Sequence, residues 1–240
     1  MSVRRVGAGE PLVWIHGLGE SSVSFEPVIA MLPQYEHTLV DLPGCGRSAW
    51  GEPQGLEVCA DHLAGWLRER PPATVIGHSM GGVLSVMVAE RGVAKRIVDV
   101  DGNLTRGDCT FSAQASAYSE ADFVSHGLAE MRAGVYDRGI TDLPLRTYHG
   151  ALCFASPWTF HKQATELVAL SSMNTMTARL AALRVPSLFI AGVPRGICEA
   201  SKIELERRRV RWVGIEPAGH WVYLDQLAAF TTAIEHFVAP

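Results

Sequence analysis

Hydrophobic residues in this chain collect into short runs that end at turn-forming residues. The runs are rich in Val, Ile and Leu, and they lack the alternation of apolar and polar positions that marks a half-exposed strand. Strands buried on both faces read this way, and parallel sheets are built from such strands. We therefore predict six strands: Leu12 to Ile15, Thr38 to Asp41, Ala73 to Ile76, Arg96 to Val100, Ser187 to Ala191 and Val210 to Gly214.

Segments between several of these strands repeat their apolar residues at helical spacing. One predicted helix runs from Glu57 to Arg70, where Pro71-Pro72 ends it. Another runs from Asp225 to Val238, and a third begins at Ser79. Strands that alternate with helices indicate a mainly parallel sheet covered by helices, so the predicted fold class is α/β.

The interval from Leu104 to Leu180 interrupts this alternation. It is helical in tendency, supplies no convincing parallel strand, and mixes aromatic with polar residues, as in Trp158-Thr159-Phe160-His161. We predict that residues 104–180 form a helical cap, inserted into a core made of residues 1–103 and 181–240. The alternative is that this interval extends the core.

Composition and charge narrow the class of protein. With 240 residues, 48% of them hydrophobic, the chain can bury a core of one α/β domain with an insertion. A net charge of −4 gives no basic excess, and the short run Arg207-Arg208-Arg209 lies beside Glu204 and Glu206 as a solvated face. We expect no nucleic-acid partner.

Targeting signals and cysteine spacing point to a cytoplasmic protein. No segment reaches the roughly 18 apolar residues that span a bilayer, and no signal-peptide pattern is present, so we expect no membrane partner. The cysteines are odd in number and form no C-x-x-C pair, which predicts neither a disulfide framework nor a zinc site. They are Cys45, Cys59, Cys109, Cys153 and Cys198.

The candidate chemistry begins at Gly77-His78-Ser79-Met80-Gly81-Gly82, which follows a predicted strand. A G-x-S-x-G motif between a strand and a helix makes a tight turn that raises the serine above the sheet edge. Glycines flank the serine because a Cβ there would clash. Ser79 is therefore the candidate nucleophile, although a glycine pattern this short also arises by chance.

Three further motifs give this pattern its context. His16-Gly17-Leu18-Gly19 follows the first predicted strand, Asp41 to Ser48 follows the second, and Gly219-His220-Trp221 lies near the C-terminus. In this order the chain resembles the α/β-hydrolase superfamily, of the capped serine esterase type, over essentially its whole length. The resemblance implies the α/β-hydrolase fold. It also implies an oxyanion hole formed by the backbone N–H groups of Leu18 and Met80.

A serine nucleophile needs a base, and the base needs an orienting acid. His220 is the candidate base. Similar proteins most often carry the acid in the loop that here reads Gly192 to Cys198, which contains no carboxylate. A variant of the fold carries it after the preceding strand, which makes Asp101 the leading candidate at the sheet edge where ligands bind. Glu199 is the alternative acid, and an enzyme without an acid stays open.

These residues predict a serine hydrolase that cleaves an ester, thioester or related acyl bond through an acyl-enzyme. We expect a small, largely apolar substrate, contacted by Trp158, Phe160 and Trp221, and no metal or cofactor. Similar folds also act as C–C bond hydrolases, lactonases or lyases. A small-molecule receptor with little or no turnover is the alternative from another class. The oligomeric state is left open.

Overall fold

The computed structural model describes residues 1–239 and contains one seven-stranded sheet. Its strands are β1 (Ser2–Val6), β2 (Pro11–Ile15), β3 (Glu36–Asp41), β4 (Ala73–His78), β5 (Ala94–Val100), β6 (Ser187–Arg195) and β7 (Trp212–Gly219). They lie in the order β1-β3-β2-β4-β5-β6-β7. β1 is antiparallel to β3, and all other neighbouring strands are parallel, which confirms the predicted mainly parallel sheet.

Helices cover the sheet and fill one long insertion. The α-helices are α1 (Glu26–Met31), α2 (Leu56–Arg68), α3 (Met80–Glu90), α4 (Phe111–Ser116), α5 (Glu120–Asp122), α6 (Leu128–Gly139), α7 (Leu143–Leu152), α8 (Pro157–Ser172), α9 (Met176–Ala181), α10 (Glu199–Arg207), α11 (Val222–Asp225) and α12 (Leu227–Val238). Short 3₁₀ turns lie at Ser22–Phe25 and Arg106–Asp108, and a π-helical turn at Phe123–Gly127 joins α5 to α6.

The buried central strands explain why the runs lack alternation. Every residue of β4 is buried, and so is every residue of α3 except the terminal Glu90. Parallel strands are joined by connections that cross a face of the sheet, and these connections place helices on both faces. The strand residues are therefore apolar on both faces. The carboxyl ends of the parallel strands meet at one edge, where the predicted site residues follow β2, β4, β5 and β7.

One strand was not predicted, and the main boundary differences lie in β6, β7 and the last helix. β1 was not predicted, because its two arginines make it read as polar. β7 runs to Gly219, so the predicted loop before His220 is paired backbone, and β6 likewise extends to Arg195. The last predicted helix divides, because Gln226 at φ −136° interrupts it between α11 and α12.

A helical insertion between β5 and β6 follows Val100, as predicted, and spans α4 to α9. It contacts the core at the carboxyl edge of the sheet. Ser156 N–H donates to the carbonyl of Gly44 at 2.8 Å, and Leu56 N–H donates to Glu166 Oε2 at 2.7 Å. The insertion therefore lies over the edge that carries the site residues.

The surface agrees with the charge pattern of the sequence. Arg207 and Arg208 both pair with Glu204, as expected of a solvated face. Within residues 1–239, no helix combines the length and apolar character required to cross a membrane. All five cysteines are free thiols. Pro240, the last residue of the predicted core, lies outside the described residues.

Candidate active site

The turn after β4 holds Ser79 in a backbone conformation that most residues avoid. Its φ is 56°, in the left-handed region, and its N–H donates to the carbonyl of Val100 at 2.8 Å. The flanking glycines are required by space. A Cβ on Gly77 would lie 1.9 Å from the carbonyl oxygen of Gly81, and one on Gly81 would lie 2.2 Å from that of Ile15. This is the strained turn that the motif predicts.

The loop after β2 approaches the serine closely. A Cβ on Gly17 would lie 3.1 Å from the Cβ of Ser79, so a larger residue would push this loop away. Leu18 follows Gly17, and Met80 follows Ser79 at the start of α3. The loop that carries Leu18 and the turn that carries Met80 therefore approach each other beside Ser79.

His16 holds this loop in place. Its Nε2 accepts a hydrogen bond from the N–H of Leu42 at 3.0 Å, so its Nδ1 carries the proton and donates to the carbonyl of Gly17 at 2.8 Å. Burial lowers the pKa of His16, which favours the same neutral form. These contacts give His16 a part in shaping the loop that carries Gly17 and Leu18.

His220 and Asp101 lie together at the carboxyl edge. Nδ1 of His220 is 3.9 Å from Oδ2 of Asp101. Asp101 is fully buried at a φ of 48°, and its Oδ1 accepts the N–H of Gly192 at 3.1 Å. Within residues 1–239, Oδ2 has no hydrogen-bond partner. That oxygen is thus available to His220.

Burial shifts the pKa of both residues of this pair. Burial lowers the pKa of His220, His78 lowers it further, and the Glu20 carboxylate opposes both. Burial raises the pKa of Asp101 well above its usual range, and the N–H of Gly192 opposes that rise. A neutral imidazole can accept a proton, so His220 is suited to the role of base.

Glu199, the alternative acid, lies apart from the pair. It is the first residue of α10, its side chain is 76% exposed, and it pairs with Lys202 at 3.4 Å. Arg195, at the end of β6, is exposed and lies opposite Gly219 in the β6–β7 register. Of the two candidate acids, the structure brings Asp101 to His220.

A small cavity of about 20 Å³ adjoins Ser79. Its lining combines apolar, aromatic and polar side chains: Leu18, Glu20, Ser79, Asn103, Asp108, Thr110, Phe111, Ser112, Tyr148, Leu167, His220 and Trp221. A larger pocket of about 340 Å³ shares Thr110, Phe111, His220 and Trp221 with it. The shared residues mark a route from the surface to the serine.

Of the three residues predicted to contact substrate, one lines the cavity beside Ser79 and two do not. Trp221 lines both spaces. Phe160 does not line the cavity, because its ring stacks on Phe123 at 5.4 Å and fills the space beside Gly19. Trp158 is 45% exposed and also lies outside the lining. Sequence reasoning missed Phe111 and Tyr148, whose positions in the insertion give no periodic signal.

Asn103 is a second polar residue that the motifs did not identify. The Ser79 hydroxyl donates to its Oδ1 at 3.3 Å, and its Nδ2 donates to the carbonyl of Asp108 at 3.0 Å. The second bond fixes the orientation of the amide, with its oxygen toward the serine. Its place two residues after Asp101, at the sheet edge, is the signal that could have revealed it.

Glu20 was also missed. It is buried beside Ser79 and accepts hydrogen bonds from the N–H of Gly17 at 2.8 Å and from the indole of Trp221. It directly follows the His16–Gly19 motif, a position for which sequence alone gave no reason to expect burial. Within residues 1–239, no three His, Cys, Asp or Glu side chains form a group that could hold a metal ion.

Comparisons with known proteins identify relatives of this chain. The sequence profile described as the alpha/beta hydrolase family matches residues 12–233. A pimeloyl-[acyl-carrier protein] methyl ester esterase from Aeromonas hydrophila is 27% identical, over 99% of this chain and 99% of its own. Esterase Rv0045c from Mycobacterium tuberculosis is 26% identical, over 94% of this chain and 82% of its own.

A solved structure shares the fold. The enol-lactonase from Burkholderia xenovorans LB400 superposes with a TM-score of 0.82 at 18% identity, covering 100% of this chain and 96% of the enol-lactonase. The family match and this superposition confirm the α/β-hydrolase fold predicted from the motifs.

Proposed function

Because the chain belongs to the alpha/beta hydrolase family, we propose that it is a serine-dependent hydrolase of small carboxylic esters. The observation that carries the proposal is the convergence of Ser79, His220 and Asp101 at one cavity. Ser79 and His220 both line that cavity, and Asp101 lies 3.9 Å from His220. The esterase names of the Aeromonas and Mycobacterium relatives support the same reaction class.

The proposed reaction uses each residue in one role. His220 removes the hydroxyl proton of Ser79 as Oγ attacks the carbonyl carbon, which requires the hydroxyl to leave Asn103. The N–H groups of Leu18 and Met80 hold the negative charge that forms on the carbonyl oxygen. His220 then donates its proton to the departing alcohol, and water releases the acid from Ser79 in the reverse sequence.

Asp101 acts on His220 in this scheme. A carboxylate at Nδ1 keeps the proton on that nitrogen, leaves Nε2 to accept from the serine, and stabilises the imidazolium that forms. The distance of 3.9 Å is longer than a hydrogen bond, and catalytic hydrogen bonds commonly tighten when substrate binds. A buried carboxyl group beside His220 favours turnover over the alternative of a receptor without it.

The size of the site supports a small substrate. The pocket of about 340 Å³ lies near the lower end of the range for ligand pockets. Leu18, Phe111 and Leu167 give the inner cavity apolar walls. The Aeromonas relative acts, by its name, on a methyl ester, and a short alcohol portion fits such a cavity. We also propose that the helical insertion serves as a cap, since Phe111 and Tyr148 come from it.

The test is an activity panel combined with active-site labelling. p-Nitrophenyl esters of rising acyl length, a thioester and a lactone are compared in the wild type and in Ser79→Ala. We expect the highest kcat/KM for short esters. Loss of activity in the variant should be about 10⁴-fold or more, because no other group replaces the nucleophile. Intact-protein mass spectrometry should find one fluorophosphonate adduct in the wild type and none in the variant.

Other results would change the assignment. Labelling that persists in folded Ser79→Ala would contradict the nucleophile. Turnover of the lactone far above every ester would make the protein a lactonase with the same machinery. A folded wild type that is labelled by nothing and turns over nothing would favour a receptor.

A further inference from the structure

Glu20 connects three parts of the site through one buried carboxylate. Its Oε2 accepts the N–H of Gly17 at 2.8 Å, its Oε1 accepts the indole N–H of Trp221, and its Oε2 lies 3.1 Å from Nδ1 of His78. Gly17 belongs to the loop after β2, His78 to the end of β4, and Trp221 to the segment after β7. One side chain therefore joins the oxyanion loop, the serine turn and the His220 segment.

The charge state of this cluster follows from its contacts. Nε2 of His78 is 2.9 Å from the carbonyl oxygen of His220, and Nδ1 faces the Glu20 carboxylate. A carboxylate and a carbonyl can only accept, so an imidazolium at His78 would donate to both of them, and the Tyr223 hydroxyl lies 3.4 Å from Nδ1 as a third neighbour. Burial alone would raise the pKa of Glu20, but the charge of His78 and the hydrogen bonds from His78, Gly17 and Trp221 bring it to about 2.

His78 also lies against the candidate base. The ring centroids of His78 and His220 are 4.7 Å apart. A cation at that distance opposes formation of a second imidazolium on His220, and a nearby carboxylate favours it. Glu20 lines the same cavity as His220 and supplies that carboxylate.

We propose that Glu20 is a positioning residue that works through His78. It fixes the oxyanion loop and the His220 segment in one arrangement, and it cancels the positive charge that His78 would otherwise present to His220. The proposal rests on the proposed function, in which His220 becomes an imidazolium during each turnover. It assigns work to a residue outside the Ser79–His220–Asp101 set.

Other charges face His220 and must stay constant in the test. Asp101 lies at its Nδ1. Asp225 accepts the N–H of Gly219 at 2.7 Å, and Arg138 and Arg195 line the larger pocket together with His220. Substitutions confined to Glu20 and His78 change none of these.

The experiment measures the pKa of His220 by NMR titration of imidazole-labelled protein, which needs no activity. Glu20→Gln should lower that pKa by about one pH unit, because the His78 charge is no longer cancelled. His78→Gln should raise it by a similar amount, because Glu20 is then unopposed. The double variant Glu20→Gln/His78→Gln should return it close to the wild-type value. The His220 signal is identified by its absence in His220→Gln.

A parallel measurement follows kcat and KM with p-nitrophenyl acetate. Glu20→Gln should lower kcat about 10-fold with a smaller change in KM, because the amide nitrogen that replaces one carboxylate oxygen cannot accept from Gly17 or Trp221. Asp41→Asn is the matched control. Asp41 is a buried carboxylate that accepts the N–H groups of Ser22 at 2.7 Å and Arg47 at 3.0 Å, away from His220. It should lower stability and leave the pKa of His220 in place.

The outcomes separate the two proposals. If either single variant leaves the pKa of His220 unmoved, or both move it in the same direction, the role of Glu20 is overturned even when esters are hydrolysed. If the opposite shifts occur but the wild type hydrolyses nothing, the charge balance stands and the proposed esterase function fails.

Discussion

Two carboxylate–imidazole pairs border the cavity beside Ser79, and they differ in how completely their atoms are engaged. In the Glu20–His78 pair Oε2 and Nδ1 are 3.1 Å apart, and the side chains are only 2% and 1% exposed. In the Asp101–His220 pair the distance is 3.9 Å, and the His220 side chain is 21% exposed. Oδ2 of Asp101 also lacks a hydrogen-bond partner among the described residues.

The comparison teaches that the same two functional groups serve different purposes according to their contacts. A pair whose every donor and acceptor is satisfied in a dry setting is rigid and holds its protons. A pair with one free oxygen and partial access to the cavity can tighten and exchange a proton with a neighbour. We therefore assign structure and charge balance to the first pair and chemistry to the second.

The largest effect should come from removing the acid of the second pair. Asp101→Asn should lower kcat about 10⁴-fold, because an amide N–H facing Nδ1 would impose the wrong imidazole tautomer. The fold should survive, since asparagine tolerates the φ of 48° at this position and can still accept the N–H of Gly192. Steady-state kinetics on a short p-nitrophenyl ester measures the change.

Glu199→Gln is the control for that prediction, because Glu199 is exposed and paired with Lys202. Its turnover should stay within about twofold of the wild type, because substitutions of exposed side chains away from a functional site usually have small effects. Loss of activity in Glu199→Gln, with a near wild-type rate in Asp101→Asn, would reverse the assignment of the acid.

A third buried carboxyl, Asp99, tests what happens when no partner is present. Neither of its oxygens has a hydrogen-bond partner within residues 1–239, and its Oδ1 lies against Gly82 and Gly102. Burial raises the pKa of Asp99 well above its usual range, and the nearby Gly102 N–H, which does not reach hydrogen-bond geometry, opposes that rise only in part. The folded chain therefore keeps this proton at a pH where the unfolded chain has released it.

The sign of the pH effect follows from that difference. As pH rises from the unfolded-state pKa toward the folded-state pKa, the contribution of Asp99 to the free energy of unfolding decreases. Asp99→Asn does not titrate, so its stability relative to the wild type should grow by roughly 1 kcal/mol or more between acidic and alkaline pH. Urea unfolding across that interval measures it. A constant difference across that interval would contradict the prediction.

The smallest effect should come from removing a hydrogen bond between the insertion and the oxyanion loop. The Tyr148 hydroxyl donates to the carbonyl of Leu18 at 3.1 Å. Tyr148→Phe removes this bond, and a hydrogen bond worth about 1 kcal/mol corresponds to a decrease of about fivefold in kcat/KM. An unchanged kcat/KM would mean that Glu20 and His16 fix the loop without help from the insertion.

The motifs allowed the fold and the main site residues to be predicted, because strict local geometry governs them. Gly77 and Gly81 leave no space for a Cβ, so the serine turn has a recognisable sequence. The buried strands are likewise continuous apolar runs. Strand ends were predicted less accurately where backbone pairing with a neighbouring strand determines them. One example is the proline-containing end of β7, which pairs with β6.

The remaining site residues could not be predicted because their roles depend on distant contacts. Glu20 and Trp221 are 201 positions apart, and only the folded sheet brings them together. Tyr148 and Leu18 are 130 positions apart, in the insertion and the core. Trp158 and Phe160 were selected for their aromatic character, but the helix face on which each lies was not visible in the sequence.

The most direct test of the account applies one substitution to each histidine of the two pairs. His220→Gln and His78→Gln are compared with the wild type for the rate at which a fluorophosphonate modifies Ser79, with folding checked by circular dichroism. We predict that His220→Gln slows labelling by about 10³-fold or more, and that His78→Gln slows it by about 10-fold or less. Equal losses, or a greater loss in His78→Gln, would contradict the division of labour between the pairs.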